Sequence, residues 1–219
     1  MKKNNITLIV LLPILLFACG GMVVDVITFT EPQPGGKNSL TNFPNNLHGE
    51  YLSENSKSTL YLSSKFIRRI DDLSYKMHVS DLDSNYRLVG DTILAVQEGE
   101  KWPIIREGDS LKVENFKIDT LFRFNDQNIL KKHKDTYFLN KSWEENGWGV
   151  LKIEVTKGTL ILSSITEEEV LALRKIGKVT LDSIPYKFEL EDKNFLDFVK
   201  NGGFKSQEYF VKKSKQDKK

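Results

Sequence analysis

Apolar side chains recur at every second position along much of this chain, and that period constrains the fold more than any other feature. Tyr75, Met77 and Val79 alternate with Lys76 and His78, which is the pattern of a strand with one buried face. Comparable runs occur at Leu60 and Leu62, at Leu151, Ile153 and Val155, at Leu160 and Leu162, at Val179 and Leu181, and at Ile184, Tyr186, Phe188 and Leu190. Polar turn segments separate these runs at short spacing, so the sequence predicts a mainly β fold built as an antiparallel meander.

Two details of this pattern predict local geometry. Lys157 and Gly158 separate two alternating runs and predict a tight hairpin turn between them. The apolar parity changes near Glu114 and Asn115, which predicts a bulge or a tight turn at that point. Beyond the change, one face of the strand is expected to carry Phe116, Ile118, Phe122 and Phe124.

Two short stretches have a helical pattern instead. Thr166 followed by Glu169 is a capping box, in which the hydroxyl accepts a backbone hydrogen bond and the carboxylate reaches back to the cap. The second predicted helix runs from about Asp192 to Lys200, with Phe195, Phe198 and Val199 on one side. Because both helices are short, we expect them to cover a sheet rather than to form a bundle.

The alternating region divides into two parts, residues 47–125 and 130–211. Tyr51 and Tyr137 each follow a small or polar turn residue, and each precedes a hairpin. Two arrangements stay open at this point, namely two related β half-domains, which a duplication would give, and one barrel-like sheet. Residues 212–219 are mostly charged and are predicted to form a disordered tail.

The first residues have the three parts of a secretory signal. Lys2 and Lys3 supply a positive head, the segment from Ile6 to Phe17 is almost entirely apolar, and the small residue Ala18 follows. The apolar segment has 12 residues, whereas a membrane-spanning helix needs about 20. Residues 1–18 are therefore predicted to be a cleaved signal and not a permanent membrane span.

Cys19 is the only cysteine of the chain and follows this segment directly. Leu16, Phe17, Ala18 and Cys19 resemble the lipobox of bacterial lipoproteins, although Phe17 is bulkier than the residue commonly found at its position. The resemblance implies cleavage before Cys19, attachment of diacylglycerol to its thiol, and acylation of the freed amine with a fatty acid such as palmitate. Gly20 resembles the class sorted to the outer membrane, which implies an outer-membrane location in the cell envelope.

A second resemblance extends over most of the chain. The run Phe-Thr-Glu-Pro-Gln-Pro at residues 29–34 is similar to the start of a group of small lipoproteins from Bacteroidota-type bacteria, a group without an assigned activity. Similar patterns occur at residues 43–44, 49–51, 119–122 and 137–140. The prolines and glycines within residues 20–39 favour an extended, loosened backbone, so residues 19–46 are predicted to be a lipidated cysteine followed by a flexible tether.

The charge balance excludes one class of partner. The chain has 32 Lys and Arg against 30 Asp and Glu, and the predicted loss of Lys2 and Lys3 makes the two numbers equal. Because nucleic-acid binding needs a clustered basic face, no nucleic-acid partner is predicted. With Cys19 acylated, no thiol remains for a disulfide, a metal or cysteine catalysis.

No motif for a metal or for a catalytic centre stands out, and we predict neither a cofactor nor a metal site. Asp81, Asp83 and Asn85 begin like a calcium loop, but Tyr86 and Thr92 occupy the positions that require Gly and Glu. No histidine has a second histidine at the spacing of a zinc pair. The histidines are His48, His78 and His133.

One loop carries a candidate binding patch. Trp143 and Trp148 flank Glu144 and Asn146, and two indoles with polar groups between them can stack on a sugar ring and bind its hydroxyls. The favoured alternative is that both indoles pack against the neighbouring strands.

Three functions are consistent with these features. The first is a membrane-anchored envelope lipoprotein that acts as a non-catalytic module for binding a protein or a glycan. The second is a lipocalin-like carrier of a small apolar ligand, which requires a barrel with an internal cavity. The third is a hydrolase of envelope polymers, which requires facing carboxylates in a groove.

Overall fold

The computed structural model describes residues 27–214, in which β-strands predominate. The strands are β1 (Ile27–Phe29), β2 (Ser39–Leu40), β3 (Gly49–Ser53), β4 (Ser58–Leu62), β5 (Phe66–Asp72), β6 (Tyr75–His78), β7 (Tyr86–Val89), β8 (Thr92–Ala95), β9 (Lys101–Glu107), β10 (Ser110–Val113), β11 (Phe116–Arg123), β12 (Asn128–His133), β13 (Thr136–Ser142), β14 (Trp148–Thr156), β15 (Thr159–Ser164), β16 (Lys178–Leu181), β17 (Tyr186–Glu189) and β18 (Ser206–Lys212). The α-helices are α1 (Val170–Ile176) and α2 (Asp192–Lys200). The predicted mainly β fold with two short helices is confirmed. Across residues 27–214, neither helix has the length and apolar character needed to cross a bilayer.

Thirteen of the strands form one large sheet that curls into a half-barrel. Its first part has the order β11-β5-β4-β3-β18-β15-β14. On one edge, β14 pairs with β13, which is followed by β12 and β2. The other edge of β14 pairs with β15 from Leu151 onward and with β1 at Trp148. Strand β1 is followed in the sheet by β17 and β16.

The concave face of the half-barrel holds the larger of two apolar clusters. Paired strands place their apolar residues opposite each other on this face, as at Leu139 and Leu151 and at Ile153 and Leu162. The residues of this cluster are Phe43, Leu47, Tyr51, Leu60, Leu62, Ile67, Phe122, Leu130, Tyr137, Leu139, Ile153, Leu160, Leu162 and Phe210. The period of two in the sequence therefore determines which side of each strand faces the barrel interior.

The second cluster lies on the opposite face of β13 and β14, under both helices. Phe195 of α2 packs edge-on against Phe29 and Phe138, with ring centroids 5.6 and 5.4 Å apart. The buried members are Ile27, Phe29, Phe138, Val150, Val170, Leu173, Phe188, Leu190, Phe195, Phe198 and Phe204. The helices cover this face, as their short amphipathic patterns predict.

A separate five-stranded sheet has the order β6-β10-β9-β8-β7 and lies between β5 and β11 in the chain. It buries a small cluster of its own, centred on Ile93, Ile104, Leu111 and Val113. This arrangement differs from two half-domains at residues 47–125 and 130–211. Strand β3 pairs with β18, so both regions contribute strands to one curled sheet. The part of the chain that stands apart from that sheet is residues 75–113, which form the five-stranded sheet.

Several local predictions are confirmed. Thr159 pairs with Thr156 across the Lys157–Gly158 turn, and both turn residues have positive φ, of 51° and 86°, as this tight hairpin requires. The capping box at Thr166 and Glu169 is present. The second helix occupies the predicted residues, Asp192–Lys200.

The predicted single face of β11 is corrected. A bulge between Thr120 and Phe122 shifts the register against β5, so even-numbered side chains before the bulge and even-numbered side chains after it face opposite sides. Phe116 and Ile118 are 54% and 62% exposed, whereas Phe122 is 1% exposed. At Glu114 and Asn115 the chain passes from the small sheet to the large one.

The structure also differs from the predicted tether over residues 27–46. Strand β1 is fully buried, and the segment at residues 31–36, here called the strap, is docked on β12 and β13. The Lys131 ammonium donates to the carbonyls of Pro32, Pro34 and Gly35 at 2.9, 2.8 and 3.0 Å. The proline and glycine content of the strap predicted a loose segment. The prediction was wrong because the side chains that bind the strap are distant in sequence.

Two predictions concern the ends of the chain. Residues 1–26, including the predicted signal and Cys19, lie outside the described residues, as do residues 215–219. The predicted disordered tail is wrong at its first residues, since Lys212 ends β18 and the Lys213 amide donates to the carbonyl of Glu50 at 2.8 Å.

Candidate binding groove

A groove of about 450 Å³ opens on the concave face of the half-barrel. Residues of β5, β11 and β18 form one wall, and residues of β13, β14 and β15 form the other. The floor is apolar and consists of Leu121, Phe122, Leu139, Leu151 and Leu162. Because the sheet is a half-barrel, this part of the interior remains open to solvent.

An ion-pair network forms one side of the groove. The Arg69 guanidinium donates from Nη1 to Glu208 Oε1 at 3.0 Å, and its Nη2 lies 2.8 Å from Glu208 Oε2. The same guanidinium donates from Nε to Asp71 Oδ1 at 2.9 Å, and Ser58 donates to that carboxylate oxygen as well. The two-point contact between Arg69 and Glu208 fixes both groups at the wall.

Strand register explains why these charges face the interior. Arg69 pairs with Leu60, and Asp71 pairs with Ser58, so both lie on the parity that carries the apolar cluster nearer the centre of the half-barrel. Leu60 is fully buried, whereas the side chains of Arg69 and Asp71 are 22% and 20% exposed. The concave face therefore changes from apolar to charged along the same strands.

The network keeps both of its ends charged. Burial lowers the pKa of the Arg69 guanidinium, but hydrogen bonds and charges from Glu208 and Asp71 outweigh burial and leave that pKa raised. Burial raises the pKa of Asp71, but the hydrogen bonds from Ser58 and Arg69, together with the charges of Arg69 and Lys117, leave it below its usual value. Asp71 is thus ionised at neutral pH and is unsuited to act as a general acid.

A second ion pair and an indole complete the rim. Lys117 Nζ lies 3.1 Å from Asp119 Oδ2 on β11. On the other wall, the Lys141 ammonium lies 5.2 Å from the centroid of the Trp143 ring. The rim therefore contributes three cationic and three anionic side chains, namely Arg69, Lys117, Lys141, Asp71, Asp119 and Glu208.

The predicted patch at residues 143–148 does not converge on one site. Trp143 lines the groove, whereas Trp148 alternates with the groove residue Gly149 and thus faces the other side of β14. Glu144 and Asn146 are exposed in a short 3₁₀ turn, Glu144–Asn146. Gly147, with φ of 91°, closes this turn against the carbonyl of Phe29, where a β-carbon would lie 2.4 Å from the oxygen.

The other candidate groups serve local structure. The ring of His48 bonds to the carbonyl of Phe43 at 3.0 Å. Asp81 accepts from the backbone amide of His78 at 2.9 Å, and Asp83 accepts from that of Asn85 at 2.8 Å. Among residues 27–214, no three His, Cys, Asp or Glu side chains are grouped so as to hold a metal ion.

A second cavity, of about 480 Å³, lies between α1 and α2. Its most buried carboxylate, Glu169, is 1% exposed. That carboxylate accepts from the backbone amides of Thr166, Phe204 and Lys205 at 2.8, 2.8 and 3.1 Å. Glu169 therefore joins the start of α1 to the segment before β18, and both oxygens of its carboxylate accept backbone hydrogen bonds.

The charged residues of the groove were not identified from the sequence. Their signal is nevertheless present, because Ile67, Arg69 and Asp71 share one parity on β5, so two charges continue a face that begins as core. Glu208 and Phe210 on β18 show the same change. Comparisons with protein-family models, with curated proteins and with solved structures found no match.

Proposed function

We propose that this protein is a lipid-anchored component of the cell envelope that binds a small molecule in the groove of its half-barrel. The observation that carries the proposal is the open groove, in which an apolar floor adjoins a rim of paired charges. Such a surface suits an amphipathic ligand, with its apolar part on the five floor residues and its polar part at the rim.

The balance of charges narrows the ligand class. Arg69 is already bound by Glu208 and Asp71, and Lys117 by Asp119, so neither sign of charge dominates the rim. A ligand with a neutral or zwitterionic polar part can exchange hydrogen bonds with these groups without leaving a buried charge unpaired. The half-barrel is open rather than closed, which favours a ligand that remains partly exposed over a fully enclosed one.

The groove can be tested with N-phenyl-1-naphthylamine, a neutral dye that fluoresces in apolar surroundings. Because Leu151→Glu places a charge on the apolar floor, it should weaken dye binding roughly tenfold or more. A tenfold loss corresponds to about 1.4 kcal/mol of binding free energy. Ile118→Glu is the matched control, because Ile118 is 62% exposed on the other face of the sheet. Each variant is first shown to be folded by a cooperative unfolding transition. Equal dye affinity in the two variants would then refute the groove as the binding site.

The anchor is proposed from the sequence around Cys19. Several acyl chains hold a protein at a membrane, because each buried methylene contributes about 0.8 kcal/mol and a single chain gives only marginal binding. Mass spectrometry of the native protein should find a diacylglyceryl thioether on an N-terminal Cys19. A Cys19→Ser variant should retain its signal and lose the acyl chains, and an unmodified Cys19 in the native protein would contradict the anchor.

A further inference from the structure

The distance between the proposed anchor and the folded body is short. Strand β1 begins at Ile27, and its three residues are buried. Residues 20–26 alone separate Cys19 from this strand. Whatever their conformation, eight Cα steps reach at most about 28 Å. An acylated Cys19 therefore keeps the start of β1 close to the lipid surface.

The pairing of β1 identifies the loop that shares this position. Strands β1 and β17 are parallel, with Ile27 opposite Tyr186 and Phe29 opposite Phe188. In a parallel pair the residues before each strand lie at the same end. The loop at residues 182–185 therefore lies at the Ile27 end of β1, and its Ile184 is 59% exposed.

A second exposed apolar side chain belongs to the same region. Leu171 is 71% exposed on α1, one helical turn before Arg174, on the same side of the helix. The Arg174 guanidinium binds the carboxylate of Asp182 and lies 5.9 Å from the centroid of the Tyr186 ring. Arg174 thus connects the face of α1 that carries Leu171 to the loop that carries Ile184.

The charges around these two residues are mixed. Within four residues of Leu171 or Ile184 in the sequence, the cations are Arg174, Lys175 and Lys187, and the anions, apart from the buried Glu169, are Glu167, Glu168 and Asp182. Arg174 is paired with Asp182, and Lys187 donates to the carbonyl of Glu145. This region therefore has no electrostatic preference for an anionic surface, and attraction to lipid must come from apolar contact.

We propose that Ile184 and Leu171 form a membrane-contact face that inserts into the interfacial layer of the bilayer when Cys19 is acylated. The inference rests on the proposed lipid anchor. The occupant is a lipid surface because the acyl chains on Cys19 fix one there, and because only seven residues separate Cys19 from β1, which limits the distance between this face and the lipid. The contact orients the body, so that the half-barrel is held at a defined angle to the membrane.

The sole native cysteine makes a specific probe possible, because an acylated Cys19 leaves no free thiol. Ile184→Cys and Leu171→Cys are each labelled with a nitrobenzoxadiazole fluorophore in the full-length acylated protein, which is then reconstituted into phosphatidylcholine vesicles. Val96→Cys is the control, since Val96 is 55% exposed in a turn of the small sheet. Emission at positions 184 and 171 should shift to the blue and be quenched by spin-labelled lipid, and emission at position 96 should do neither.

The outcomes separate the two proposals. If mass spectrometry finds Cys19 without acyl chains, the anchor fails. If Cys19 is acylated and positions 184 and 171 respond like position 96, the membrane-contact face fails while the anchor stands. A response at positions 184 and 171 that requires added phosphatidylglycerol would also refute the face, because it would show attraction by charge rather than apolar contact.

Discussion

Two networks, each centred on one cation, lie on opposite faces of the large sheet, and the two cations have different kinds of partner. On the concave face, Arg69 is bound by two carboxylates beside an open groove. On the other face, Lys131 is 6% exposed, and its ammonium is bound by three strap carbonyls. Arg69 is paired with carboxylates and is partly exposed to solvent, whereas the Lys131 ammonium is surrounded by backbone carbonyls.

The pKa directions express the same difference. Burial lowers the pKa of Lys131, and the charges of Glu31 and Asp192 offset only part of that effect. The Arg69 pKa is raised instead, because hydrogen-bonded carboxylates outweigh burial. A charge without a carboxylate in contact contributes mainly by satisfying backbone acceptors, so the strap side serves the fold. The groove side retains paired charges that a ligand can engage.

The largest expected effect is on the strap side. Lys131→Ala leaves the carbonyls of Pro32, Pro34 and Gly35 without their donor, and we expect the free energy of unfolding to fall by about 3 kcal/mol. Denaturant titration measures the change. The neighbouring Lys132→Ala should change it by less than about 1 kcal/mol, since Lys132 is exposed. Similar losses in both variants would show that the hydrogen bonds from Lys131 to the strap do not account for the loss of stability.

A slightly smaller effect is expected at Asn140, which is fully buried. Its side chain accepts from the Gln33 amide at 2.6 Å and donates to the Gln33 carbonyl at 2.8 Å. Asn140→Ala should cost about 2 kcal/mol and speed hydrogen exchange at the Gln33 amide. Unchanged exchange there would show that the strap is held without Asn140.

Replacing the cation of the groove should affect stability less. Arg69→Met removes a partner of Asp71 and Glu208, and because water reaches this wall we expect a loss of about 1 kcal/mol in unfolding free energy. The same variant should raise the pKa of Asp71, which can be followed by NMR of the side-chain carboxyl. A loss as large as that of Lys131→Ala would mean that Arg69 also serves chiefly to hold the fold.

The smallest expected effect is a dependence on acid. The folded-state pKa of Asp71 lies below its ordinary value of 3.8, so its contribution to stability is complete above that value and is lost as the pH falls through the folded pKa. The stability difference between wild type and Asp71→Asn should therefore be constant near neutrality and shrink below about pH 4. A difference that grows in acid would have the opposite sign from the one expected.

The period-two pattern predicted strands that bury every second residue, such as β4 and β15. It did not predict β1, because all three residues of that strand are buried. The Lys157–Gly158 hairpin and the capping box at Thr166 and Glu169 were also predictable, since each depends on neighbouring residues. Strand order depends on pairings between distant residues, such as β3 with β18, and no local pattern encodes them. The bulge at Thr120–Phe122 also arises from pairing, which is why the parity of β11 was misassigned.

The groove illustrates the same limit. Trp143 was identified as a candidate from its indole, and it lines the groove, but Trp148 lies on the other face of β14. The charged wall is formed by β5, β11 and β18, whose residues are far apart in sequence. Only the register of the large sheet brings Arg69 to Glu208. The strap was missed because its partners, Lys131 and Asn140, are also distant in sequence.

The most direct test of the proposed groove is to locate a bound amphiphile. A lysophosphatidylcholine carrying bromine on its acyl chain is a zwitterionic amphiphile that quenches nearby tryptophans. The protein offers Trp143 at the groove, Trp102 in the small sheet and Trp148 on the other face of β14. We predict saturable quenching that is lost in Trp143→Phe and reduced in Leu151→Glu. Quenching of equal size in wild type and Trp143→Phe would place the amphiphile elsewhere and contradict the groove as the binding site.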